Sequence, residues 1–158
     1  MSRSAHLRPD LVGLVAVGGA VGTAGRYGLS QALTPAGGWP TSTFVENLLG
    51  AFLLGVLLEA LVRRGPETRR AQRLRLALGT GVLGGFTTFS SLAIEIERLV
   101  ADGRVALGLG YGVASVVLGF GLCLAGVAVA ARQHRWRAGR LLPEDPDAAE
   151  RIGTRESA

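Results

Sequence analysis

The sequence predicts an all-α membrane protein with four transmembrane helices, the third of them broken near its middle. Three observations predict it. Hydrophobic residues make up 48% of the 158 and charged residues 18%, against about 25% charged in an average soluble domain. The apolar residues gather into four runs, each of about 20 residues or more, the length that crosses a hydrocarbon core of roughly 30 Å. The arginines lie mostly between and beyond those runs.

The first run extends from about Leu11 to Leu33 and carries Arg26. A turn-rich link, Thr34 to Pro40, follows, and its Trp39 suits an anchor at headgroup level. The second run covers Thr41 to Val62. A basic loop from Arg63 to Arg75, with Pro66 inside it, leads to the third run, about Leu74 to Val100. The tight link Ala101-Asp102-Gly103-Arg104 opens the fourth, Val105 to Ala131. Three regions result: a flank at 1–10, a membrane domain at 11–131 and a polar tail at 132–158 that reads as disordered. The first run lacks a cleavage motif followed by a soluble domain, so it reads as a span rather than a signal peptide.

The net charge is +5, and all 17 basic residues are arginine. No basic helix face is interleaved with aromatics, so nucleic acid is not an expected partner. Arg3 and Arg8, the arginines between Arg63 and Arg75, and those from Arg132 onward fall on one side of the membrane. Arg98 and Arg104 fall on the other. That asymmetry places both termini in the cytoplasm of a multi-pass cell-membrane protein. The single Cys123 excludes an internal disulfide. Small residues recur at packing intervals: Gly18, Gly22 and Gly25, then Gly50 and Ala51, then Gly108, Gly112, Gly119 and Gly126.

Polar groups inside apolar spans need a partner, a cavity or a pore. Arg26 either snorkels to the interface or fixes a positive charge near a pore mouth. Thr43 and Asn47 share a helix face. The Asn47 amide either bonds another helix or offers N–H donors to a passing anion. Glu46 points elsewhere, toward an arginine or the interface, because a carboxylate beside an anion path repels the anion. Gly84-Gly85 followed by Thr87-Thr88 is a poor continuous helix. A break there either kinks a packing helix or frees carbonyls able to hold a hard cation. Thr88, Ser90 and Ser91 add hydroxyls, and Phe89 adds a positive ring edge. Tyr111 and Ser115 share a face of the fourth run. His6 and His134 lie outside the spans. No nucleophile–base pair, phosphate loop or metal-ligand spacing is present, so an enzyme is not expected.

Three pieces together resemble the Fluc/CrcB family of fluoride channels: Gly18-Gly19 through Arg26-Tyr27, Asn47-Leu48-Leu49-Gly50, and Gly84-Gly85-Phe86-Thr87-Thr88-Phe89-Ser90. The likeness spans about residues 11 to 131. It implies a passive fluoride channel that lowers cytoplasmic fluoride, assembled as an antiparallel dimer. It further implies a structural Na+ held by the backbone carbonyls of Gly84 and Thr87. The implied fluoride path includes Arg26, Thr43, Asn47, Phe89, Ser90, Ser91, Tyr111 and Ser115, and Glu95 matches an acid that follows the break. Leu92 departs from the pattern, which usually has a second Phe there. A non-conducting companion subunit is therefore an alternative. A small proton-coupled drug exporter is a weaker one, because the first run has no acid after Asp10.

Members of the resembled family often show weak topological bias, whereas the arginine asymmetry here is strong. The chain is expected to insert one way and to pair with an inverted homologous subunit. Expressed alone in liposomes it then gives no robust fluoride flux; robust flux from the single chain removes the requirement for a partner.

Overall fold

The computed structural model describes residues 8–33, 38–63 and 68–141, with side chains described through residue 133. His6, the His134 side chain, the link at 34–37, the Pro66 loop at 64–67 and the tail at 142–158 lie outside the described residues.

All regular elements among the described residues are helices. Helix α1 is Pro9–Ala32 and α2 is Thr41–Val62. Helix α3 is continuous through Arg69–Leu74, a π-helical stretch at Arg75–Leu83 and a last turn at Gly84–Phe86. Helix α4 is Phe89–Ala101 and α5 is Val105–Leu141. Three helical stretches, Thr41–Val62, Arg69–Ala101 and Val105–Gln133, are long and apolar enough to cross a membrane. Helix α1 has 24 residues, about 36 Å at 1.5 Å per residue. Its apolar stretch is bounded by Asp10 at one end and broken by Arg26 toward the other, with Ser30 and Gln31 beyond.

Local chemistry sets the helix ends. Pro9 opens α1, where its missing N–H costs nothing, and Asp10 faces the positive end of the helix dipole. Arg8 bonds Asp10 at 2.9 Å, and that bond with its charge holds the Asp10 carboxyl below the usual carboxylate range. Thr68 caps α3 by accepting from the Ala71 N–H at 3.2 Å. Helix α4 ends in a Schellman turn. There the Gly103 N–H donates to Val100 and the Arg104 N–H to Leu99, with Gly103 at φ 76°. Helix α5 continues through Arg132 to Leu141, past the expected end of the fourth run, because Arg, Gln, Ala and Leu all favour helix.

Two pairs of parallel helices form the body, α1 with α3 and α2 with α5. Glycines allow the approach. A Cβ at Gly18 would lie 2.5 Å from the Ala77 carbonyl oxygen, and one at Gly22 would overlap the Val82 carbonyl. Likewise Gly55 meets the Cys123 carbonyl and Gly126 the Phe52 carbonyl. In lipid, where apolar side chains gain little by leaving their surroundings, such backbone contact is a main source of helix association. The outward faces are apolar; on α5 they present Leu109, Val113, Val116, Val117, Phe120 and Leu124.

The small core joins Leu92 and Leu99 of α4 to Tyr111 of α5. Trp39, expected as a headgroup anchor, packs edge-on against Phe44 at 5.4 Å and Tyr111 at 5.3 Å. It belongs to the core margin, since its ring finds two aromatic partners there.

Gly22→Ala is expected to lower stability by about 1–3 kcal/mol, the usual cost of overpacking. Gly28→Ala, which has open space around the new methyl, leaves stability unchanged within about 0.5 kcal/mol. Equilibrium unfolding in mixed micelles checks both.

Candidate functional site

Between the last turn of α3 and the start of α4, Thr87 and Thr88 are extended, with ψ of 156° and 112°. Two residues in this conformation interrupt the helical ladder, and each freed backbone group needs a partner in an apolar setting. Asn47 of α2 supplies two. Its Nδ2 donates to the Thr88 carbonyl at 3.0 Å, and its Oδ1 accepts from the Thr88 N–H at 2.8 Å. The amide of Asn47 therefore replaces the helical neighbours that Thr88 lacks.

The Thr88 side chain then starts α4. Its Oγ1 accepts from the Ser91 N–H at 3.2 Å, shares a 3.2 Å hydrogen bond with the Ser90 hydroxyl and donates to the Ser91 hydroxyl at 3.1 Å. Two carbonyls are left in a particular condition. In an unbroken helix the Thr88 N–H would serve the Gly84 carbonyl and the Ser91 N–H the Thr87 carbonyl. Both donors are engaged elsewhere, by Asn47 and by Thr88 Oγ1. Gly84 itself is exposed on the surface of the single chain.

A second cluster centres on Glu95 of α4. Thr43 Oγ1 donates to Glu95 Oε1 at 2.6 Å, and the Tyr111 hydroxyl donates to Oε2 at 2.7 Å. Hydrogen bonds this short are typical of hydroxyl donors to a charged acceptor. They tie α4 to both α2 and α5. Tyr111 is fully buried. Ser115, also buried, donates to the Tyr111 carbonyl at 2.8 Å within its own helix, the usual back-bonding of Ser in apolar helices.

A polar pocket of about 240 Å³ lies beside these clusters, lined by Thr23, Arg26, Tyr27, Ser30, Ser42, Thr43, Glu46 and Ser91. Arg26 and Glu46 each have a buried atom, Nε and Oε1, without a hydrogen-bond partner.

The structure thus brings together Arg26, Thr43 and Ser91 around one pocket and joins Asn47, Ser90 and Ser91 through Thr88. Thr43 is linked to Tyr111 through Glu95. Phe89 stands apart, 79% exposed at the head of α4. Of the two surroundings expected for Glu46, an arginine or the interface, it takes the first: it is 3% exposed and lines the same pocket as Arg26. Arg26 lies 20 positions earlier on another helix, a proximity that spacing along one helix does not reveal. No cluster of three acidic, His or Cys side chains suited to a metal is found among the described residues.

Asn47→Leu leaves the Thr88 N–H and carbonyl without their partner. A loss of about 1–3 kcal/mol in stability is expected, the cost of stranding buried polar groups. Faster hydrogen exchange at the Thr88 amide distinguishes this local opening from a general loss of packing.

The family model described as CrcB-like protein, Camphor Resistance (CrcB), matches residues 13–127. The chain is 45% identical over 126 residues to Fluoride-specific ion channel FluC 2 of Leifsonia xyli subsp. xyli, covering 80% of this chain and 87% of that protein. It is 45% identical over 125 residues to Fluoride-specific ion channel FluC 1 of Cutibacterium acnes, covering 78% and 86%. With Fluoride-specific ion channel FluC of Caulobacter vibrioides the identity is 41% over 121 residues, covering 74% and 92%.

Proposed function

The chain belongs to the CrcB-like family, a family of ion channels and not of enzymes, and from that membership we propose that it is a subunit of a fluoride-selective channel in the cell membrane. The observation that carries the proposal is the 45% identity, across 80% of the chain, to a protein named as a fluoride-specific ion channel. Fluoride moves passively. Neutral HF crosses a bilayer and ionises inside, and the trapped anion leaves through the channel.

A small, strongly hydrated anion crosses only where donors replace the water it sheds. Arg26, Thr43, Asn47, Ser90, Ser91, Tyr111 and Ser115 are the residues assigned to the path; Thr43, Tyr111 and Ser115 give their hydroxyl protons to protein acceptors in the single chain. Asn47 acts first as a clasp on Thr88, so its contribution is to hold Ser90 and Ser91 in position. Phe89, whose exposed ring calls for a covering surface, is assigned a ring-edge contact with the anion at a subunit interface. Helix α1 serves as the fourth span, and both termini lie in the cytoplasm.

Two inverted subunits assemble around a structural Na+. Its ligands are the carbonyls of Gly84 and Thr87, and the diverted amide donors of Thr88 and Ser91 support that assignment. The bound ion supplies a fixed positive charge that holds unpaired carbonyls together. The chain's own part is to keep Thr87 and Thr88 extended. A companion subunit that completes a partner's pore without conducting is a second possibility, favoured by one observation. Leu92, 7% exposed, lies in the core beside Tyr111, so position 92 offers no ring to an anion.

Fluoride-electrode efflux from liposomes, with and without a coexpressed homologue, tests the proposal. Phe89→Ile is expected to cut flux about tenfold or more, equivalent to ~1.4 kcal/mol on the permeation barrier, while the assembly keeps its size on gel filtration. Unchanged flux removes Phe89 from the path.

A further inference from the structure

Glu46 has no role in the channel as described so far, yet a carboxyl group this buried needs a reason. Its oxygen Oε1 has no hydrogen-bond partner. Stranding a carboxylate oxygen inside protein costs several kcal/mol in general unless a counter-charge or a proton compensates. The nearest compensation is Arg26 of α1, whose Nε is likewise buried and unpartnered. The two side chains line one pocket, with the hydroxyls of Thr23, Ser30, Ser42, Thr43 and Ser91 around them. A buried cationic side chain and a buried carboxyl group on the walls of one pocket, neither fully satisfied by hydrogen bonds, make the charge of that pocket depend on the protonation of the carboxyl.

The groups acting on Glu46 are few. Arg26 from α1 and Glu95 from α4 are its charged neighbours. Tyr111 from α5 bonds Glu95, and Tyr27 of α1 shares the pocket. The arginines of α3 lie in its first turns, at the Asp10 end. Thr43, which donates to Glu95, lines this same pocket. The pocket is thus contiguous with the polar cluster assigned to the path.

We propose that Glu46 is a proton-controlled charge switch in this pocket, holding Arg26 neutralised when ionised and admitting a small anion when protonated. The inference rests on the channel function proposed above. With Glu46 ionised, the pocket carries one positive and one negative charge and has little pull on an anion. With a proton on Glu46 the carboxylate charge disappears, Arg26 acts alone, and the carboxyl O–H becomes one more donor. Flux is then higher in acid than in alkali. Acid is also the condition in which HF forms and enters the cell.

The test is fluoride efflux from liposomes of the full chain, with its homologous partner where one is required, at about pH 5 and about pH 8. The two values compare the carboxyl group under conditions that favour and disfavour its protonated form. Leakage of HF is subtracted using protein-free liposomes. Wild-type flux is expected to be roughly three- to tenfold greater at the acid value, the scale of removing one screened charge a few ångströms from the ion. Glu46→Gln, neutral at every pH, is expected to hold the high flux at both. A variant that keeps the wild-type pH profile overturns the inference and leaves the channel function standing. Absence of wild-type flux at both values, with and without a partner, overturns the channel function and this inference with it. Should Glu46→Gln fail to assemble on gel filtration, Glu46→Met decides: it is neutral at every pH and close in volume, so a retained pH profile overturns the inference and equal flux at both values upholds it.

Discussion

The arrangement depends on one side chain closing one gap. A helix interrupted among apolar neighbours exposes backbone groups that neither lipid nor hydrocarbon side chains can satisfy. Asn47 satisfies the N–H and the carbonyl of Thr88 with a single amide. That pair of bonds allows Thr88 to be extended, and an extended Thr88 can cap α4 with its own hydroxyl. The direction of α4 fixes where Phe89, Ser90, Ser91 and Glu95 stand. An amide suits this position because it donates and accepts in one plane, which neither a carboxylate nor a hydroxyl does with the same spacing.

Glu95 gives the second constraint. Its two oxygens each receive a hydroxyl from a different helix. A carboxylate in the membrane domain is tolerated because it is divided between Thr43 and Tyr111, and the aromatic rings of Trp39 and Phe44 close over the Tyr111 side. Glu46, by contrast, has an orphaned oxygen. Two acids of the same type, within reach of each other's charge, thus occupy opposite states of satisfaction. One is structural cement and the other is available for change.

The helices could be read from the sequence because length and apolar content suffice to define them. The second run coincides with α2, whereas α3 begins at Arg69 within the expected basic loop and α5 continues to Leu141, because arginine favours helix as well as leucine does; the tight link at Asp102-Gly103 shows in its composition. Contacts across helices were harder to read. Thr43 and Asn47 lie on one face, as their spacing implies, but their partners are 52 and 41 residues away and no local pattern encodes them. The π-helical stretch at Arg75–Leu83 escapes a reading based on 3.6 residues per turn, since its bonds close wider rings. Glu46 lies with an arginine, as its charge implies, but no local spacing encodes that the arginine is Arg26 of a neighbouring helix. Tyr111 and Ser115 share a face, as their spacing implies, and the Ser115 hydroxyl donates to the Tyr111 carbonyl of its own helix.

The glycine seams carry a consequence for motion. Where backbone touches backbone, no side chain remains that could change rotamer, so α1 cannot slide on α3, nor α2 on α5, without steric overlap. Contacts between the two pairs are fewer. The backbone seams thus leave the looser packing to the crevice between the two pairs, which Thr23, Arg26, Thr43 and Glu46 line.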